Sequence, residues 1–457
     1  MKQGKRHQKS QSGRRIQTRP GPVHQGLVHP HAAGIDVGAT EIYVAAPPVG
    51  EEQAVRCYKT FTEDLHRLAD WMEECGVDTV AMESTGVYWM PLFQVLEARE
   101  IEVCLVNARH VKNVSGRKSD VQDCQWLQHL HAVGLLTASF RPEQEIRALR
   151  TVLRHRAEVV QAASGHIQHM QKSLDQMNLQ LHHVISELAG MTGLAIVDAI
   201  LAGERDGHKL AALRDARIRA SEETIVKSLV GDYRPEHLFT LRQALEAYRF
   251  CQTQLAACDE QIRQMLQEMD SFEDGEGGSP APWANGAFDL KSELHRVLGV
   301  DLTQVPGVEV KTAQVILSEV GVNVGKSFRS GGAFASWMGL CPDNRVTGGK
   351  VRSAHTRKVD NRVAQALRTA ARSLHHSDSA LGVHYRRMRA KLGAPKAIVA
   401  TAHKLARIIC YMLTHRQAYD PSVFDEMENH RVKYVKAKLQ AQARALGMRL
   451  VPAEAAC

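Results

Sequence analysis

Four acids in the first third of the 457-residue chain have the types and spacing for metal-assisted phosphodiester chemistry. Asp36 lies in GIDVG, whose flanking glycines let a backbone or a phosphate approach closely, Glu83 closes DTVAME ahead of the turn STG, and Asp120 and Asp123 fall together in KSDVQD. A spacing of i and i+3 puts the last two on one helical face. Carboxylates brought together repel one another unless a cation neutralises them, and hard oxygen ligands select Mg²⁺ or Mn²⁺. Two such ions about 4 Å apart can activate a nucleophile and stabilise a leaving oxygen. Taken singly, each acid reads as an ordinary turn or helix-dipole residue; joint placement at strand and helix ends is what points to a site. Lys112, Arg117 and Lys118, just before the aspartates, suit a phosphate or a plain exposed basic loop equally well.

The elements that must position these acids follow from residue pattern. HAAGIDVG, TEIYVAA and AVRCYKTF are rich in β-branched and aromatic residues and are punctuated by Gly, Pro and charges, which predicts three tightly joined strands. Leu65, Leu68, Trp71 and Met72 share one face of a helix over 63–75, and DTVAME reads as a buried strand. A helix over 87–99, a strand at IEVCLVN and a helix over 120–132 complete the order βββαβαβα. That is the ribonuclease-H order, so residues 27–140 are expected to form an α/β, RuvC-like domain. In it, the first strand is central, the Glu83 strand lies beside it, and the last helix brings Asp120 and Asp123 to their carboxyl ends. Ser119 is placed to cap that helix, with Gln122 in the capping-box position.

Beyond Pro142 the pattern becomes a heptad. Apolar residues at 146, 149, 153, 160, 163, 167, 170, 174, 177, 181, 184 and 188 keep three and four spacing, broken only by Arg156. A second series from 238 to 269 carries Gln252 and Asp259 as polar interruptions and is expected to return antiparallel. The expectation is a long coiled-coil hairpin over 141–270 with a helical tip at 190–235, with a plain helical bundle as the alternative, since periodicity alone does not say whether the partner helix is internal or from another subunit. A Gly, Pro and Ala rich linker follows at 271–290, then a basic helical domain at 291–418 and a charged tail at 419–457. Residues 1–26 form a basic arm.

Formal charge is +8, unevenly spread. Residues 1–20 carry seven Lys or Arg and no acid, and 384–407 carry seven more with none, which implies a polyanionic partner. Nine scattered cysteines without a CxxC pair read as reduced thiols. No secretion signal or bilayer-spanning run is evident, so a cytoplasmic protein associated with the bacterial nucleoid is expected. VPGVEVKTAQVIL has the Pro-Gly turn of a helix-hairpin-helix element, whose amides can hold a phosphate, or is a simple helical turn packing Val315 and Ile316 inward. From Tyr385 to Arg407 an aromatic residue joins a basic face, as on a nucleic-acid surface or on a merely solvated charged helix.

GIDVGATEIYV, MESTGVYWMPLFQVL and GRKSDVQDCQWLQHLHAVGLL resemble the DEDD domain of the insertion-sequence transposases that include the Piv DNA invertases, the bridge-RNA-guided recombinases. VPGVEVKTAQVILSEVG, FASWMGLCPDN, GGK and YRRMRAKLGAPKAIVATAHKLARIICYML are similar to the second domain of that family, and the likeness spans about 30–418. It implies a Mg²⁺-dependent DNA transposase in which Asp36, Glu83, Asp120 and Asp123 bind metal. It also implies a hydroxyl nucleophile just before the glycines after GLCPDN, where this chain has Thr347 in place of serine. Ser353 and Ser336 lie elsewhere. DNA, a guide RNA and a homotetramer built from dimers are the implied partners, with Lys350, Arg352, Arg386, Arg387, Lys391, Lys396 and Lys404 on nucleic acid. A RuvC-like hydrolytic nuclease and a non-catalytic nucleic-acid binder are the rival readings.

Overall fold

The computed structural model describes residues 26–47, 54–84, 86–107, 119–271 and 288–449. The basic arm up to residue 25, nearly all of the expected linker, and Lys112, Arg117 and Lys118 lie outside them. The chain divides into two compact units, 1–141 and 142–457.

In the first unit, β1 (Ala32–Val37), β2 (Glu41–Ala45), β3 (Val55–Lys59), β4 (Thr79–Glu83) and β5 (Glu102–Val106) form one sheet in the order β3-β2-β1-β4-β5. β1 pairs antiparallel with β2 and parallel with β4, and β4 pairs parallel with β5, so β1 is central. Alternation along a strand then assigns the faces. Ala33, Ile35, Val37, Val80 and Met82 belong to one core with Leu65, Leu68 and Met72 of α1 (Thr62–Glu74) and Leu92 and Leu96 of α2 (Trp89–Glu97). Each fully buried Leu or Met there stabilises the unit by about 1.5–3 kcal/mol. Gly34, Asp36, Ala81 and Glu83 alternate with these and face the opposite way, where Ala81 and Val106 pack on Leu127 of α3 (Asp120–Ala132).

The second unit is helical. α4 (Gln144–Gln176) and α9 (Pro235–Glu268) are its longest elements. Arg156 meets Asp259 through two hydrogen bonds of 2.6 and 3.0 Å, and the Ser173 and Thr240 hydroxyls lie 3.0 Å apart. Residue numbers rise along one helix as they fall along the other, so the pair is antiparallel. Two of the three polar residues that interrupt the heptads, Arg156 and Asp259, are therefore each other's partners.

The heptad does not carry the helix to 188. α4 stops at Gln176 and Asn178 takes a left-handed φ of 54°. Met177, Leu181 and Leu188 instead enter the core of the tip, beside α5 (Leu181–Val184), α6 (Met191–Leu201), α7 (Gly207–Ala211) and α8 (Glu222–Ser228). A run of spaced apolar residues satisfies a globular tip as well as a straight helix, and spacing alone does not separate the two.

At its root, α4 packs on α11 (Val310–Val320), which follows α10 (Leu290–Leu298). Arg150 donates to the Ser318 and Glu319 carbonyls at 3.1 and 2.7 Å, satisfying the open end of α11. Arg154 forks onto the Glu319 carboxylate at 2.9 and 2.8 Å. The remainder comprises α12 (Val324–Ser327), α13 (Gly331–Trp337), the hairpin β6 (Arg345–Thr347) and β7 (Lys350–Ser353), α14 (Arg362–Ser373), α15 (Ala380–Leu392), α16 (Ala394–His415) and α17 (Ser422–Ala445). α16 is long and apolar enough to cross a membrane by length and composition. Ala397, Thr401, Leu405 and Ile409 are nevertheless buried, which makes it the core helix of this bundle.

Candidate active site

Asp36 and Glu83 end adjacent parallel strands on the same face of the sheet, and α3 lies across that face. Its direction is fixed by two contacts. The Gln128 amide donates to the Ala32 carbonyl at 3.2 Å, and a Cβ at Gly34 would stand 2.1 Å from the Cys124 carbonyl oxygen. Going along β1 towards Asp36 therefore means going back along α3 towards its first turn, where Asp123 and Asp120 sit. Cys124, Leu127, Gln128 and His131 form the buried stripe of α3, and Asp120 and Asp123 prolong it past the sheet edge. Ser119 is the N-cap, its hydroxyl accepting the Gln122 N–H at 3.3 Å, as the sequence predicts.

Glycine in GIDVG was expected to admit a backbone or a phosphate. At Gly34 the visitor is the α3 backbone. Glu83 is held from the other side: Ser84 donates its N–H and its hydroxyl to the Val106 carbonyl at 2.9 and 3.1 Å, and Gly86 turns the chain with φ 55°. Asp36, Glu83 and Asp123 are half-buried and Asp120 is exposed. Among the described residues no three of these acids bring ligand atoms within 4.8 Å of one another. The sulfur beside them is Cys124, whose thiol is pushed up to about 12 by burial, then by the Asp36 charge, with a smaller contribution from Asp123. The Cys124 thiol donates to the Val121 carbonyl at 3.1 Å, and the four acids offer oxygen donors of the kind that a hard divalent cation takes. Sequence reasoning missed Tyr43, the cross-strand partner of Asp36 on this face. Its signal was the strand pattern of TEIYVAA read in register with GIDVG.

In the helical unit, Thr347 ends β6 and pairs with Lys350 across Gly348 and Gly349, whose φ angles are 57° and 75°. Two positive φ values make a two-residue hairpin of the primed type, which glycine supplies without steric cost. Cross-strand pairing sets Thr347 and Lys350 on one side of the hairpin, both exposed. Ser353 is half-buried and its hydroxyl accepts the His355 N–H at 3.4 Å, while Ser336 lies in α13.

The basic residues divide. Lys350, Arg352, Lys391 and Lys396 are exposed, whereas Arg387 and Lys404 are half-buried. Arg386 caps the turn before α15, donating to the His375 and Ser377 carbonyls at 3.2 and 2.6 Å. Tyr385 corrects an expectation: it is 3% exposed, edge-on to His375, and offers no face to a base. Its place in the apolar row of α15 outweighs the basic residues around it. In the Pro-Gly turn, a Cβ at Gly307 would lie 2.7 Å from the Ala370 carbonyl, so close packing on α14 explains that glycine.

Residues 33–179 match a DEDD transposase family model, and 301–386 match the model described as transposase of the IS116/IS110/IS902 family. The first holds all four acids and the second holds Thr347. The chain belongs to the IS110 family of transposases. A putative transposase y4pF/y4sB of Sinorhizobium fredii is 34% identical over 139 residues, covering 28% of this chain and 34% of that protein. The insertion element IS110 uncharacterized 43.6 kDa protein of Streptomyces coelicolor is 35% identical over 91 residues, covering 20% of this chain and 22% of its own length. The matches thus span about a third or less of these relatives.

Proposed function

We propose that the chain is a DNA transposase and recombinase that cleaves and exchanges strands between an insertion sequence and its target in the bacterial cytoplasm. It acts as a homotetramer guided by a structured RNA. The observation that carries this reading is the arrangement of Asp36 and Glu83 at the ends of neighbouring parallel strands, under the helix whose first turn holds Asp120 and Asp123. Asp36, Glu83, Asp120 and Asp123 would hold Mg²⁺ or Mn²⁺, which would supply Lewis-acid stabilisation of charge on the scissile phosphate. The Thr347 hydroxyl oxygen attacks phosphorus; the new P–O bond forms as the bond to the departing strand's oxygen breaks, and the hydroxyl proton passes to solvent. Lys350, across the hairpin from Thr347, holds the phosphate charge. Attack by another strand end on the phosphothreonyl link completes exchange and returns the hydroxyl. Lys112, Arg117, Lys118, Arg352, Lys391 and Lys396 bind backbone, and base pairing with the RNA selects sequence.

The test is a denaturant-resistant protein–DNA adduct, formed with Mg²⁺, co-purified RNA and DNA carrying the element junction. Adduct is expected from the wild type and from Ser353→Ala, and is lost in Asp36→Ala and Thr347→Ala. Retention in Thr347→Ala overturns the nucleophile. Metal-dependent cleavage without adduct points to a hydrolytic nuclease, and indifference of every activity to Asp36→Ala points to a binding protein.

A further inference from the structure

Where α4 breaks into α5, three metal-ligating side chains meet. Asp175 stands in the last turn of α4, and His182 and His183 follow on α5, beyond the left-handed Asn178. The Asp175 Oδ1 atom lies 3.5 Å from His182 Nε2 and 4.0 Å from His183 Nε2, and the two imidazole rings are 4.1 Å apart. All three ligand atoms fall within 4.8 Å of one another, the one such group among the described residues. The His182 side chain is only 11% exposed, and its Nδ1 is buried without a hydrogen-bond partner.

Ordinary ion pairing accounts poorly for this. A hydrogen bond from imidazole to carboxylate closes to about 2.7–2.9 Å, and neither contact does. Two imidazoles whose centroids are 4.1 Å apart also bring like charges together when both are protonated. A metal accounts for the spacing: Zn–N and Zn–O bonds of about 2.0–2.1 Å place tetrahedral donors about 3.4 Å apart. The contacts of 3.5 and 4.0 Å close to that spacing by about 0.1 and 0.6 Å, and the two histidine nitrogens already lie within 4.8 Å of each other. Two nitrogens and one carboxylate oxygen, with room for water on the exposed side, suit a borderline transition ion rather than Mg²⁺.

We infer that Asp175, His182 and His183 bind a divalent transition metal of the Zn²⁺ class, which staples the end of α4 to α5 at the tip of the helical hairpin. The site shares no residue with the acidic centre and stands independently of the proposed function. The tip core lies beside it, with Met170, Leu174, Met177 and Leu181 fully buried, so a bound ion pins the corner from which the tip is built.

Co²⁺ is the probe, titrated into metal-stripped full-length protein in excess Mg²⁺, which occupies the oxygen-only centre. One equivalent is expected to bind and give visible ligand-field bands without a thiolate charge-transfer band. His183→Ala and Asp175→Asn change exposed side chains, and circular dichroism checks that each remains folded. In both, affinity should fall by more than the ~10–100-fold that loss of an outer-shell partner costs, whereas Asp36→Ala should leave it unchanged. Failure of the wild type to bind Co²⁺ leaves a His–Asp pair only and overturns the proposal. So do undiminished binding in both folded variants, a thiolate band, or loss of binding in Asp36→Ala alone.

Discussion

Asp36 and Thr347 differ most in what surrounds them. Around Asp36 the fold and the chemistry share atoms: the strand that ends in the acid is central, and the helix that brings Asp120 and Asp123 touches the strand through a missing side chain at Gly34. Thr347 stands on an exposed two-stranded hairpin whose turn is two glycines and whose valines, Val346 and Val351, are 57% and 60% exposed. The acids are thus built into a core, and the hydroxyl is displayed from one. A substitution near the acids should cost stability first, and a substitution at Thr347 should cost chemistry alone.

The sharpest test of that contrast is Gly34→Val. Its Cβ would lie 2.1 Å from the Cys124 carbonyl and 2.3 Å from the Gln128 nitrogen, both backbone atoms that move only if α3 leaves the sheet. A loss of about 4 kcal/mol or more is expected in chemical denaturation of the sheet unit; a near-normal midpoint breaks the account of how α3 is seated. Thr347→Ala should do the reverse, abolishing covalent adduct while leaving stability within about 0.5 kcal/mol of wild type. Thr347→Ser removes the methyl that crowds in-line attack and should speed adduct formation by up to about tenfold, roughly 1.4 kcal/mol of barrier.

How legible each half was in the sequence follows from the same contrast. The β-branched runs mark the strands and the amphipathic stretch over 63–75 buries one face, so composition and period recover the order of elements along the chain, and the acids fall at element ends. The antiparallel return of α9 was legible because both heptads carry a polar break. The end of α4 was not: Met177, Leu181 and Leu188 keep the spacing of a helix while packing into a globular tip. Tyr385 was misread because a basic neighbourhood says nothing about the one face of α15 that turns inward. Gly34 was read as a close approach without its visitor, since nothing local to GIDVG says that α3 arrives there.

Each unit also contains a histidine whose pKa is held low, His131 buried in the first and His384 half-buried in the second, which makes acid a way to compare them. His131 packs on His29 and meets the Thr79 hydroxyl at 2.9 Å; burial first, and then His29, lower its pKa to about 4 against the opposing charge of Asp78. His384 is lowered to about 4 by burial and by Lys404 and Arg387. Below the ordinary histidine range, near 6.5, the unfolded chain takes a proton that the folded chain refuses. Each histidine therefore contributes stability that is whole above pH 6.5 and declines towards pH 4. His131→Gln should flatten that decline for the sheet unit alone and His384→Gln for the helical unit alone, read by acid titration of each unit's unfolding. If both units lose their acid sensitivity together in either variant, the units do not unfold separately.

The smallest expected effect concerns the pair at the heptad breaks. Arg156 and Asp259 are 30% and 56% exposed, and water screens such a pair, so even with fork geometry it stabilises by only about 0.5–1 kcal/mol. Each single change to leucine should cost about that much. The double change to leucine should be neutral or stabilising, because it removes both charges and continues two apolar seams. What the pair supplies is then register rather than strength. With 156 opposite 259 the charges satisfy each other, and any slip sets each against an apolar neighbour. A double variant that loses the sum of the two single losses makes the pair a stabilising contact after all; one that holds its midpoint but unfolds with a broader transition shows a hairpin that has lost its marker.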